Sequence, residues 1–144
     1  MLEPTTAQLL HVDDDDICIM GLARAFKKAK IANPITFAYD GIEALDMLRG
    51  TNGRKRFPRP YLILLDLNMP RMDGIEFLKQ MRQDEDLKKG VVFIMTTSDA
   101  DEDKVKAYNL GVAGYILKTN PANAFLEATA LLDTYWRVVE FPAT

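Results

Sequence analysis

Short apolar runs and amphipathic stretches alternate five times along the chain, and this alternation limits its fold more than any other feature. The runs are Gln8–Val12, Ile35–Ala38, Tyr61–Leu65, 91–95 and Gly114–Leu117. The third and fourth are continuously apolar, as the central strands of a parallel sheet covered on both faces must be. Five strand-then-helix units in 144 residues leave room for one doubly wound sheet with helices on both faces. Right-handed crossovers then give the strand order 2-1-3-4-5. Six strands in the alternative dinucleotide-binding order need more chain than is present.

The intervening stretches carry helical periodicity. After four aspartates at 13–16, Ile19, Leu22, Phe26 and Ala29 recur at three- and four-residue spacing. Asp40-Gly41 introduces Ile42, Ala44, Leu45 and Leu48, stopped by Gly50. Asp73-Gly74 introduces Ile75, Phe77, Leu78 and Met81, and a helix over 101–110 ends at Gly111. Asn120 reads as a cap before Pro121, with Phe125, Thr129, Leu132 and Trp136 on one stripe. The segment 51–60, rich in Gly, Pro and basic residues, reads as an exposed loop. The chain reads as one domain over 1–144, with its core at about 7–136 and a tail at 137–144.

Composition removes several classes of function. One cysteine, Cys18, and one histidine, His11, exclude a disulfide framework, a Cys₄ or Cys₂His₂ zinc site and a His-based metal centre. No Gly-x-Ser-x-Gly turn offers a nucleophile for a serine triad. The longest apolar run, 17–23, falls short of the roughly 18 residues of a membrane span, and the N-terminus lacks the pattern of a secretory signal. A net charge of −3 argues against a dedicated nucleic-acid binder. The expectation is a soluble, cytoplasmic protein that binds neither membrane nor nucleic acid.

Ligands of an open parallel sheet bind beyond the carboxyl ends of its strands, where the strand order reverses. Here that point lies between strands 1 and 3, which end in Asp13-Asp14 and Asp66. Strand 4 ends in Thr96-Thr97-Ser98 and strand 5 in Lys118. Clustered carboxylates repel unless a cation neutralises them or they share protons. Oxygen donors without soft ligands select a hard ion, Mg²⁺ or Mn²⁺. Lys118 and Thr96 suit phosphoryl oxygens, and a carboxylate such as Asp66 can become an aspartyl-phosphate. The expected chemistry is Mg²⁺-dependent, in-line phosphoryl transfer onto Asp66.

The same residues resemble the receiver domain of bacterial two-component response regulators, the CheY-like version of the flavodoxin-like fold. They are the acidic pair after Val12, the segment from Asp66 through Asn68, Pro70 and Asp73 to Gly74, Thr96 after its strand, and Tyr115 to Lys118. Thirty residues separate Asp66 from Thr96 and 22 separate Thr96 from Lys118, as the family pattern expects. The resemblance implies Asp66 as phospho-acceptor, Asp14 as a direct Mg²⁺ ligand and Asp13 as a ligand mainly through water. It adds the backbone carbonyl of Asn68 as a third protein ligand. Thr96 and Lys118 would contact the phosphoryl group, and Tyr115 would turn inward in step with Thr96. Thr97 and Asn68 would line the path of an attacking water and tune the phosphoryl lifetime.

Within that family the chain looks most like single-domain regulators paired with phytochrome-type histidine kinases. The residues behind this finer likeness are 59–70, 96–99, the loop 51–60 and the tail 135–142. It implies a histidine kinase as partner, protein contacts as output, no catalysis beyond its own phosphorylation and dephosphorylation, and a homodimer. Two other classes stay open: a small phosphatase, although Asn68 stands where a second Asp would be needed, and an inert interaction scaffold.

Plainer readings apply elsewhere. Asp15 and Asp16 start the first helix, His11 is a packed strand residue, and Cys18 is a small buried hydrophobe. The basic residues of 54–59 are solvated. Tyr135, Trp136, Val138, Val139 and Phe141 either fold back on their own core or bury against a second subunit.

Overall fold

The computed structural model describes residues 7–118 and 121–141. Its elements run β1 (Gln8–Val12), α1 (Asp16–Lys28), β2 (Ile35–Ala38), α2 (Gly41–Arg49), β3 (Tyr61–Leu65), α3 (Gly74–Gln83), β4 (Val91–Thr96), α4 (Asp101–Asn109), β5 (Gly114–Leu117) and α5 (Pro121–Val138). Every strand pairing is parallel and the order is 2-1-3-4-5. This is the α/β doubly wound sheet that the alternation predicts, in the order expected of it.

Successive side chains on a strand point to opposite faces, so the sheet feeds two cores. Leu10, Val12, Ile63, Leu65 and Ile94 pack with Leu45 and Leu48 of α2 and Phe77 and Met81 of α3. Leu9, Leu62, Leu64 and Met95 pack with Leu22 and Phe26 of α1 and Leu132 of α5. All five residues of β3 are buried, which accounts for its continuous apolar run. Each buried leucine stabilises the fold by roughly 1.5–3 kcal/mol.

Aspartates start three helices. Asp15, Asp40 and Asp73 accept hydrogen bonds of 2.9 Å from the amides of Ile17, Glu43 and Glu76, satisfying donors that a helix start leaves free. Gly50 and Gly111 take positive φ values of 72° and 76°, the left-handed conformation that ends helices cheaply. The Asn120 cap lies outside the described residues.

Three details refine the expectations. β4 runs one residue past 95, carrying Thr96 as its last member. The segment 51–60 is not wholly exposed: Phe57 is buried, its amide donates to the Met47 carbonyl at 2.9 Å, and its ring meets Tyr61 edge-on at 5.7 Å. Its basic neighbours Arg54 and Arg56 pair with Glu43 and Asp86. At the C-terminal end, Trp136 packs edge-on against Phe26 and Tyr135 against Phe93 and Phe141. These aromatics fold back on the chain's own core, while Val138 and Val139 stay exposed. Among the described residues no helix is long and apolar enough to cross a membrane.

Candidate functional site

The strand ladder continues one step past the ends of β1 and β3 and fixes two carboxylates there. The Asp13 amide donates to the Ala38 carbonyl and the Asp66 amide to the Val12 carbonyl, each at 2.9 Å. Asp13 and Asp66 are buried, Asp14 is exposed, and a carboxylate oxygen from each lies within 4.8 Å of the others. β1 sits between β2 and β3, so the cluster occupies the point of strand-order reversal. Gly74 lets α3 start against it: a Cβ there would stand 2.4 Å from the Asp66 carbonyl oxygen, closer than any side chain tolerates.

Lys118 reaches the cluster from the far side of the sheet. Its amide donates to the Thr96 carbonyl at 2.8 Å, which aims the side chain back across the strand ends. Its ammonium lies 2.8 Å from Asp13 Oδ2 and 3.5 Å from Asp66 Oδ2. The two buried carboxylates consequently diverge. Burial resists ionisation of Asp13, but the His11 imidazole and the Lys118 ammonium outweigh it and hold the carboxyl well below the usual carboxylate range. Burial pushes the Asp66 carboxyl up, Lys118 pulls it down, the charge of Asp13 pushes it up again, and the net shift is upward. Burial lowers the Lys118 ammonium, but the bond to Asp13 and the charges of Asp13 and Asp66 dominate and raise it.

Three carboxylates with one exposed member suit a hard divalent ion, which prefers oxygen donors and keeps waters. A single lysine cannot balance three acids, so the donor set fits such an ion.

The remaining expected residues flank the cluster. Thr96 is fully buried and its hydroxyl oxygen accepts from the Ser98 amide at 3.4 Å. Tyr115 is half-buried and its hydroxyl donates to the Ser98 carbonyl at 2.8 Å. Ser98 thus joins the two residues expected to move together, a linkage that strand-end spacing alone does not reveal. Thr97 and Asn68 are exposed, and the Asn68 amide lies 3.4 Å from Asp66 Oδ1. His11 approaches Asp13 Oδ2 at 3.5 Å. Its signal in the sequence is its place two residues before Asp13, on the same face of β1.

This fold, with an acidic cluster and a lysine just past the last strand, defines a receiver. Residues 9–130 match the response regulator receiver domain family, and the chain belongs to it: it is a phosphoryl-accepting regulator of two-component type. It is similar to response regulator Rcp1 of Synechocystis sp., 31% identical over 136 residues that cover 94% of this chain and 92% of the relative. Among solved structures, the phosphorylated cyanobacterial phytochrome response regulator RcpA superposes with a TM-score of 0.88. That pair is 28% identical, with 96% of this chain and all of the other covered. The Mn²⁺-bound form of Rcp1 superposes with a TM-score of 0.84 at 30% identity, covering 95% and 99% of the two chains.

Proposed function

We propose that the Asp66 carboxylate accepts a phosphoryl group from a phosphohistidine of a histidine kinase. The bond from phosphorus to the donor nitrogen breaks as a bond to one Asp66 oxygen forms, and the imidazole leaves as the neutral base after gaining a proton. The observation that carries this reading is the convergence of Asp13, Asp14 and Asp66 with the Lys118 ammonium. Lys118 is placed to follow the phosphoryl charge, and Thr96 to donate its hydroxyl to a second oxygen. Mg²⁺ or Mn²⁺ would be held by Asp14 directly, Asp13 through water, Asp66 and the Asn68 carbonyl. When bound, such an ion neutralises charge on the acceptor and the transferred group. The similarity to Mn²⁺-bound Rcp1 supports a hard divalent ion.

The kinase is of phytochrome type, a reading supported by the similarity to RcpA and Rcp1. Output passes through protein contacts as Thr96 and Tyr115 shift together, while Asn68 and Thr97 set the phosphoryl lifetime. The protein catalyses only its own phosphorylation and dephosphorylation. Cys18 is a free, buried thiol, which fits the reducing cytoplasm. We assign 7–136 as the receiver core and the tail from 137 as a contact between two copies. Val138 and Val139, 75% and 40% exposed, support that dimer in place of the aromatics, which the chain's own core absorbs.

Incubation with Mg²⁺ and acetyl phosphate tests the reading. Stable incorporation, lost on chelation and in Asp66→Asn, is expected. Turnover of phosphomonoesters would make the protein a phosphatase instead, and absence of both incorporation and Mg²⁺ binding would make it an inert scaffold.

A further inference from the structure

A second, chemically different cluster shares Asp13 with the acidic one. His11 on β1, Asp13 at its end and Cys18 on α1 bring one nitrogen, one oxygen and one sulfur within 4.8 Å of one another. All three residues are buried, with exposures of 1%, 0% and 3%. His11 Nε2 is 3.5 Å from Asp13 Oδ2 and 4.0 Å from Cys18 Sγ. The first separation exceeds a good hydrogen bond, and Nδ1 has no partner among the described residues. The fully buried imidazole thus turns Nε2 toward Asp13 and Cys18 at long separations, while Nδ1, on the other side of the ring, is the unpartnered nitrogen, a state that calls for an explanation.

We propose that His11, Asp13 and Cys18 form a site for a thiophilic divalent cation such as Zn²⁺, and that its occupation opposes phosphoryl acceptance. A tetrahedral ion with bonds of about 2.0 Å to nitrogen and oxygen and about 2.3 Å to sulfur sets edges of roughly 3.3 Å for N···O and 3.5 Å for N···S. The observed N···O and N···S separations of 3.5 and 4.0 Å need contractions of roughly 0.2 and 0.5 Å to reach them, with the oxygen and sulfur already within 4.8 Å of each other. One histidine and one cysteine cannot build a Cys₂His₂ centre, but with a carboxylate they supply three protein ligands and leave a fourth position for water. Binding through Nε2 requires the ring proton to sit on Nδ1, in place of the tautomer that donates from Nε2 toward Asp13. The thiol proton is released as the sulfur–metal bond forms.

Antagonism follows from a shared ligand. Asp13 Oδ2 is also the atom 2.8 Å from Lys118, and a soft ion drawing it toward His11 withdraws it from the acidic cluster. That consequence, unlike the binding itself, rests on the assignment of Asp13 to the phospho-acceptor site.

Cadmium is the direct probe, because the single cysteine and single histidine make each signal assignable. Titration of the folded protein with Cd²⁺ should produce an ultraviolet thiolate-to-metal charge-transfer band saturating at one equivalent, and should shift the His11 imidazole resonances in step. His11→Gln and Asp13→Asn should each weaken binding at least tenfold, and Zn²⁺ should displace Cd²⁺. Absence of the band in the folded wild type, a band with unmoved His11 resonances, or affinity unchanged in both variants would overturn the site. In the competition arm, Zn²⁺ should suppress Mg²⁺-dependent incorporation from acetyl phosphate in wild type at concentrations at least tenfold below those needed in Cys18→Ser. Equal sensitivity would overturn the antagonism. Failure of incorporation in the absence of Zn²⁺ would instead count against the receiver chemistry and leave the Cd²⁺ result standing.

Discussion

Asp13 and Asp66 are the same chemical group in adjacent positions, yet their surroundings give them opposite tendencies. Lys118 stands closer to Asp13, at 2.8 Å against 3.5 Å, and the difference decides which carboxylate the lysine serves. Asp66, buried and facing the charge of Asp13, is held up and costs stability whenever it is ionised. Asp66→Asn is expected to stabilise the metal-free protein by about 1 kcal/mol, or roughly 3 °C in Tm, measured by thermal unfolding in chelator. Lys118→Ala should act the other way, because it strands the fully buried Asp13 charge. A loss of about 3 kcal/mol is expected in urea denaturation. Cys18, with its thiol pushed up to about 12, should alkylate far more slowly in the folded protein at neutral pH than in denaturant. Equal rates would contradict its burial.

The elements carry the site by where they stop and start. β1 and β3 end together, and the turn into α3 passes so close to Asp66 that only glycine fits at position 74. Gly74→Ala should therefore lower both stability and incorporation at Asp66. Asp73→Ala, one residue earlier, removes a cap bond, costs about 1 kcal/mol and should leave incorporation nearly unchanged; the contrast separates cap from contact. Tyr115→Phe deletes the bond to the Ser98 carbonyl and should cost about 1 kcal/mol, read by urea denaturation. Much of this layer was legible as pattern: β3 and β4 announce themselves by continuous apolar runs, and three aspartates mark helix starts. Phe57 was not legible, since a lone aromatic among Gly, Pro and Arg gives no period. Ser98 was not either, because its role depends on α4 and β5 closing around it, which only the tertiary arrangement decides.

At the scale of the whole molecule, four strand ends deliver Asp13, Asp14, Asp66, Thr96 and Lys118 to one place, and their spacing in the chain made that convergence readable before any coordinates. His11 is the packed strand residue its place in β1 suggested, whereas Cys18 beside it was not legible, because their approach depends on how α1 packs on the sheet. The acidic end of the sheet is poised for a cation, so Mg²⁺ at a hundred times its Kd should stabilise the protein by about 2.7 kcal/mol, visible as a rise in Tm that Asp14→Ala reduces. The C-terminal aromatics pack on the chain's own core and leave Val138 and Val139 exposed at the end of the chain, and sedimentation of Val138→Glu against wild type reads whether they join two copies. The central claim is covalent: Asp66 becomes an acyl phosphate. Borohydride reduction of the protein after incubation with Mg²⁺ and acetyl phosphate, followed by peptide mass analysis, should find homoserine at position 66 and only when both reagents were present. Homoserine at Asp13 or Asp14, or none at all, would contradict it.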